Sequence, residues 1–159
     1  MSSPFRILKL LRGVRRPSRI NDMRAVADAF WLRRGYDAMT FFGHIVTATN
    51  EEADRMNGRL TTLKNHETIH LYQARSTGDS WLRFYLLYFY YCLRALPQLR
   101  HMKHAPYLLN PFEMEAYRHD HDLDYLTRRS EATEWCRFAR MTARERREQY
   151  QKLMQSAVT

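Results

Sequence analysis

The stretch Asn65-His66-Glu67-Thr68-Ile69-His70 sets two imidazoles and a carboxylate at a spacing that could do chemistry. On an α-helix each residue turns by about 100°, so His66 and His70 are offset by about 40° and both rings can reach one cation beside the helix. Glu67 then points to the adjoining side, where it can take a proton from an activated water without occupying a coordination position. A zinc ion held there would acidify water and polarise a carbonyl, so hydrolysis at a carbonyl centre is the chemistry that the spacing points to.

Two histidines hold zinc weakly, and a site that keeps a place for water needs a third protein ligand. Candidates lie in NPFEMEAY, residues 110–117, where Asn110 and Pro111 open a helix that carries Glu113, Glu115 and the small Ala116. Glu113 is also the third helical residue after Asn110, from which it could close a capping box, and helical angles do not separate it from Glu115. HETIH followed by a helical Glu-x-x-Ala resembles the gluzincin metallopeptidases, where two histidines and a downstream glutamate bind zinc. More closely, NHETIHLYQ, the aromatic segment after it and FEMEAYRHDHDLDYL are similar to a group of small bacterial HExxH proteins, over about residues 36 to 128.

The resemblance implies one zinc ion on His66, His70 and Glu113, Glu67 as general base, and a peptide or other amide bond as substrate. Thermolysin-like enzymes often place an aspartate four residues beyond the ligand glutamate to orient a histidine; Tyr117 stands there in this chain, and Asp120 is available for the role. His44, Tyr107 and Tyr117 are unranked candidates for stabilising an oxyanion. His119 and His121 would face about 200° apart on a helix, which disfavours a second metal site among His119-Asp120-His121-Asp122.

Several elements must position these groups. Asn21-Asp22 offers a cap for a helix through about Arg33, and YDAMTFFGHIVTAT, residues 36–49, reads as the main strand, along whose edge a zincin would lay an extended substrate. A helix is expected from about Thr61 through Ala74, with HExxH at its middle. In WLRFYLLYFYYCLRALPQL, residues 81–99, Arg83 and Arg94 bracket ten uncharged residues, too few for a bilayer span of about twenty, so a buried central helix is expected. A connector over 97–110 leads to the Asn110 helix, which should run to about Arg129; Ser130, and Thr142 with Glu145, read as caps of two more helices.

With 159 residues, only 5 Gly and 5 Pro, and no repeat, the chain is expected to be mainly α within the α+β class. A single zincin-like domain over residues 20–159 with one or two short strands would follow a basic arm over residues 1–19. The 26 Lys and Arg exceed the 17 Asp and Glu, for a net charge of +9. An anionic membrane face or a nucleic acid is therefore a conceivable partner, and a non-catalytic metal-binding or basic interaction protein is the rival functional class. Cys92 and Cys136 lack metal-binding spacing and are expected to be buried thiols. Arg6, Lys9 and Arg12 break the first apolar run, so no secretory signal is read there and a cytoplasmic protein is expected, with contact at most on the inner membrane face.

Overall fold

Most α-helix starts among the described residues fall where short polar side chains can satisfy the free amides of a first turn. In the computed structural model, which describes residues 25–27, 38–129 and 132–156, Thr49 caps α1 (Asn50–Gly58) and Thr61 caps α2 (Thr62–Ser76). Ser80 caps α3 (Trp81–Ala95), which runs on into a 3-10 turn at Leu96–Arg100. After α4 (Ala105–Leu108), Asn110 caps α5 (Pro111–His119). Then come α6 (Trp135–Ala139) and α7 (Ala143–Ser156). Thr142 and Glu145 form the expected reciprocal box, with Glu145 Oε2 accepting from the Thr142 amide at 2.7 Å and Thr142 Oγ1 from the Glu145 amide at 3.2 Å. Ser130 lies outside the described residues.

Among the described residues the chain is mainly helical with one small sheet, as expected from its composition. Three strands form it, β1 (Ala25–Ala27), β2 (Ala38–Phe41) and β3 (His44–Thr47), in the order β1-β3-β2. Strand β1 runs parallel and β2 antiparallel to β3. Two expectations are corrected here. Ala25–Ala27 is a strand and not part of a helix, because the Asn57 side chain clamps the Ala25 backbone from both sides, accepting from its N–H at 2.8 Å and donating to its carbonyl at 3.0 Å. The remainder of that expected helix lies outside the described residues. The expected strand over 36–49 is a tight hairpin, turned at Phe42 (φ 44°) and Gly43 (φ 86°), the pair of positive φ values that a two-residue type I′ turn demands. Phe42 holds that conformation against the rings of Trp81 and Tyr85.

Helix α2 is the centre of the molecule: every residue from Lys64 to Ala74 is buried. Strand β2 lies on one side of it and α5 on the other, while an aromatic layer of Phe84, Tyr88 and Tyr91 from α3 meets Phe112, which packs on Trp135 of α6 at 4.5 Å between ring centroids. A third correction concerns α3. It is not buried all round: Trp81, Phe84, Tyr91 and Ala95 face the core, but Leu82, Leu86, Phe89, Tyr90 and Leu93 are exposed. Nor does α5 continue to Arg129. It stops at His119, because the Asn65 amide of α2 donates to the carbonyls of His119, Asp120 and Asp122, which draws the chain out of helical register into turns. Cys92 and Cys136 are free thiols, only half-buried. Among the described residues no helix is long and apolar enough to cross a membrane.

Asn110 joins two of these helices. Its Oδ1 accepts from the Phe112 amide at 3.2 Å, and its Nδ2 donates to the Tyr88 carbonyl at 3.0 Å. Asn110→Ala is expected to lower the unfolding free energy by about 1–2 kcal/mol in urea titration with an unchanged m-value. Asn110→Asp keeps the cap, loses the donor and should fall between the two.

Candidate metal centre

One turn of α2 and the first turn of α5 meet at three side chains. His66 Nε2 lies 3.3 Å from Glu113 Oε2, and His70 Nε2 lies 3.3 Å from Glu113 Oε1. One donor atom from each of the three residues can be chosen so that all lie within 4.8 Å of one another, and all three residues are buried. Donor atoms bound tetrahedrally to zinc at about 2.0–2.1 Å stand roughly 3.3–3.4 Å apart, so the three donors would have to draw together to seat an ion. Glu113 Oε2 is buried without a hydrogen-bond partner, a costly vacancy for a carboxylate oxygen unless a cation or proton meets it. The His66, His70 and Glu113 group could therefore hold a metal ion.

The reverse side of each ring is also engaged. Gln73 Nε2 donates to Glu115 Oε2 at 2.8 Å and to the Phe112 carbonyl at 2.9 Å, two groups that can only accept, so the Gln73 amide orientation is forced. Its Oε1 must then face His70 Nδ1, at 2.8 Å, which places a hydrogen on Nδ1 and leaves Nε2 as the ligand nitrogen. His66 Nδ1 faces Asp120 Oδ2 at 3.7 Å, a contact between charges and too long for a hydrogen bond, so Asp120 occupies the orienting place that Tyr117 cannot fill. Tyr117 instead packs its ring edge-on to His66 at 4.7 Å between centroids.

The two glutamates part company for a geometric reason. Two residues apart on α5, they point to opposite sides. Glu113 faces the imidazoles, while Glu115 receives Gln73 Nε2, the Tyr125 hydroxyl (2.8 Å) and the backbone amides of Glu134 (2.8 Å) and Trp135 (3.2 Å). Glu115 is a fully employed structural anion. Nor does Glu113 close a capping box, since the Asn110 amide donates to the Tyr107 carbonyl instead.

A cavity of about 180 Å³ opens beside the three residues. Its walls are Ala38, Met39 and Thr40 of β2, Phe84, Tyr85 and Tyr88 of α3, and Tyr107 of α4, with Glu67, His70 and Glu113 at its polar end. Thr40 Oγ1 stands 2.8 Å from Glu67 Oε2 and 2.7 Å from the Glu67 carbonyl, and its single hydrogen serves one of them at a time. Of the oxyanion candidates, Tyr107 borders the cavity; His44 sits on the central strand and Tyr117 behind His66, and neither is in its walls. His119 stacks on Tyr125 and contacts Glu134, while His121 is exposed, so the structure does not bring them together as a second site.

Sequence reasoning missed Tyr88, Gln73 and Thr40. The Tyr88 hydroxyl donates to Glu113 Oε1 at 2.7 Å. Its position four residues after Phe84, on the core side of α3, was the available signal.

Burial opposes charge on all three prospective ligands, and their mutual attraction outweighs it. For His66, burial lowers the pKa, but Asp120 and Glu113 raise it to about 10. For His70 burial is likewise overcome by Glu113, and Glu113 itself, despite burial, is held below the usual carboxylate range by His70 and His66. Burial first and Glu113 second push the Tyr88 and Tyr107 phenols up, which keeps both as neutral donors.

With its pKa raised by Asp120 and Glu113, His66 would have to give up a proton before its Nε2 could bind a cation near neutral pH. Metal affinity should therefore rise by about tenfold per pH unit for each proton released between pH 6 and 9, and calorimetry in buffers of different ionisation enthalpy should count that proton. Glu113→Ala should weaken affinity by on the order of a hundredfold or more, and Gln73→Leu by about 10–100-fold. Glu115→Gln should keep the ligand set while lowering stability by about 2–3 kcal/mol, read by metal titration and chemical denaturation in parallel. No protein-family model matches this chain, and neither a curated protein nor a solved structure matches it.

Proposed function

We propose that this protein is a zinc-dependent metallopeptidase of the gluzincin kind, with His66, His70 and Glu113 as ligands and Glu67 as general base. The observation that carries the reading is a buried His66, His70 and Glu113 triad beside a cavity whose polar end is formed by His70, Glu113 and Glu67, the last not being part of the triad. A zinc ion, when bound, supplies a Lewis acid that activates water and polarises the scissile carbonyl.

The remaining work falls to the chain's own residues. Glu67, held by Thr40, accepts the proton of the attacking water and returns it to the leaving amine. Tyr107, kept neutral, is the donor placed to meet charge developing on the carbonyl oxygen. Strand β2 is an edge strand of the sheet, paired with β3, and Ala38, Met39 and Thr40 line the cavity, so an extended peptide would lie along it. Phe84, Met39 and Ala38 make the cavity apolar, which favours an apolar side chain in the substrate and keeps bulk water from the reacting centre. Its two thiols are free, which suits a cytoplasmic setting.

Elemental analysis of the purified protein should find about one zinc per chain, absent from His66→Ala and retained in Glu67→Gln. Chelator-sensitive cleavage of a mixed peptide library should fall by about 10²–10⁴-fold in Glu67→Gln. Equal cleavage by that variant and the wild type removes Glu67 as the base. Stoichiometric zinc without any cleavage leaves a non-catalytic metal-binding protein.

A further inference from the structure

Helix α3 has two apolar faces, and only one is used by the core. At about 100° per residue, Trp81, Phe84, Tyr88, Tyr91 and Ala95 cluster on the inner side. Leu82, Leu86, Phe89 and Leu93 recur at intervals of four, three and four residues on the opposite side, and Leu96 carries the row into the 3-10 turn. These five side chains are between 45% and 70% exposed, and Leu99 beyond them is exposed as well. From Leu82 to Leu96 the row is about 21 Å long at the helical rise. Isolated exposed leucines are ordinary, but a continuous row of this length on a monomer marks a surface that something covers.

The charges beside the row identify what that is. Between residues 80 and 112 the chain carries no Asp or Glu, while Arg83, Arg94, Arg100 and Lys103 are all cationic. Arg94 rests over the ring of Tyr90 at 5.7 Å, along one flank of the row. Arg83 donates to the Thr77 carbonyl, and Arg100 to His101, and none of the four cations is in an ion pair among the described residues. Behind the flank, Arg146 is buried over the Tyr91 ring, with its Nε and Nη2 unpartnered, so one more positive charge goes without a carboxylate. A second copy packed on this face would set arginine against arginine. The chain's own residues 1–24 hold seven Lys or Arg against one Asp, so their charge does not complement the flank. Nucleic acid would match the charge but leave the leucine row exposed.

We propose that the outer face of α3 and the following 3-10 turn, Leu82, Leu86, Phe89, Leu93 and Leu96 flanked by Arg83 and Arg94, docks in the plane of an anionic lipid bilayer. The helix is too short to cross a membrane. Lying flat, it buries the leucine row about 5–10 Å deep while the arginines reach the headgroup phosphates. This surface is independent of the metal reading, since none of its five apolar residues lines the cavity beside the triad.

The test is co-sedimentation of the full-length protein with phosphatidylcholine vesicles, with and without about one third phosphatidylglycerol. Binding should need the anionic lipid and weaken as salt is raised. Leu86→Glu with Phe89→Glu, and separately Arg83→Glu with Arg94→Glu, should each weaken partitioning by on the order of tenfold or more. All replaced residues are exposed, and an unchanged thermal midpoint and metal content would show that fold and triad persist. Undiminished partitioning of both variants overturns the proposal. So does a wild-type dimer in light scattering that Leu86→Glu with Phe89→Glu turns into a monomer, which assigns the face to a second copy. Salt-sensitive binding to RNA, unaffected by the Leu86 and Phe89 changes and unaccompanied by vesicle binding, overturns it as well.

Discussion

A carboxylate buried between two imidazoles governs this structure. Glu113 has left water, and an isolated carboxylate in such a place costs several kcal/mol, so the fold must keep His66 and His70 within reach of it. The two helices concerned are accordingly fixed at both ends of the contact. Asn110 pins the start of α5 to the backbone of α3, and Asn65 pins its end to α2. Gln73 crosses between the helices at the middle, with Glu115 as its anchor. Nothing apolar could replace these amides, because each satisfies a backbone or carboxylate group that is itself cut off from solvent.

Helix α2 carries the cost of this arrangement. A helix buried on all sides is ordinarily apolar, yet this one buries Asn65, His66, Glu67, Thr68, His70 and Gln73. Most of them have a hydrogen-bond partner: the Asn65 amide nitrogen the end of α5, Glu67 the Thr40 hydroxyl, Thr68 the Lys64 carbonyl, His70 the Gln73 amide, while Asn65 Oδ1 is buried without one. Such a departure from ordinary patterning is what a site held for binding looks like, since a core selected for stability alone would use leucine there.

Helix α3 shows how one element serves two surfaces. Phe84, Tyr85 and Tyr88 wall the cavity beside the triad, and Leu82, Leu86, Phe89 and Leu93 face outward half a turn away. Its near absence of polar residues reads in sequence as full burial. The exposed half is visible only once the inner face has found Phe112 and Trp135 and no further helix among the described residues covers the other.

Much of the framework was legible in the residues themselves. Spacing within one helix made His66 and His70 a pair, the Asn110-Pro111 and Thr142-Glu145 signals placed two helix starts, and low Gly and Pro content set the class. These are local properties, decided by 3.6 residues per turn and by which side chains can cap an amide. Distance along the chain defeated the rest. That Glu113 and not Glu115 meets the histidines depends on the rotation of α5 against α2, and that Ala25–Ala27 is a strand depends on an asparagine 32 residues away. Gln73, Thr40 and Tyr88 acquire their roles only from partners on other elements. Periodicity determines which faces a helix has, but which face meets which neighbour is a property of the packed chain, because burial and hydrogen bonding are settled for all elements together.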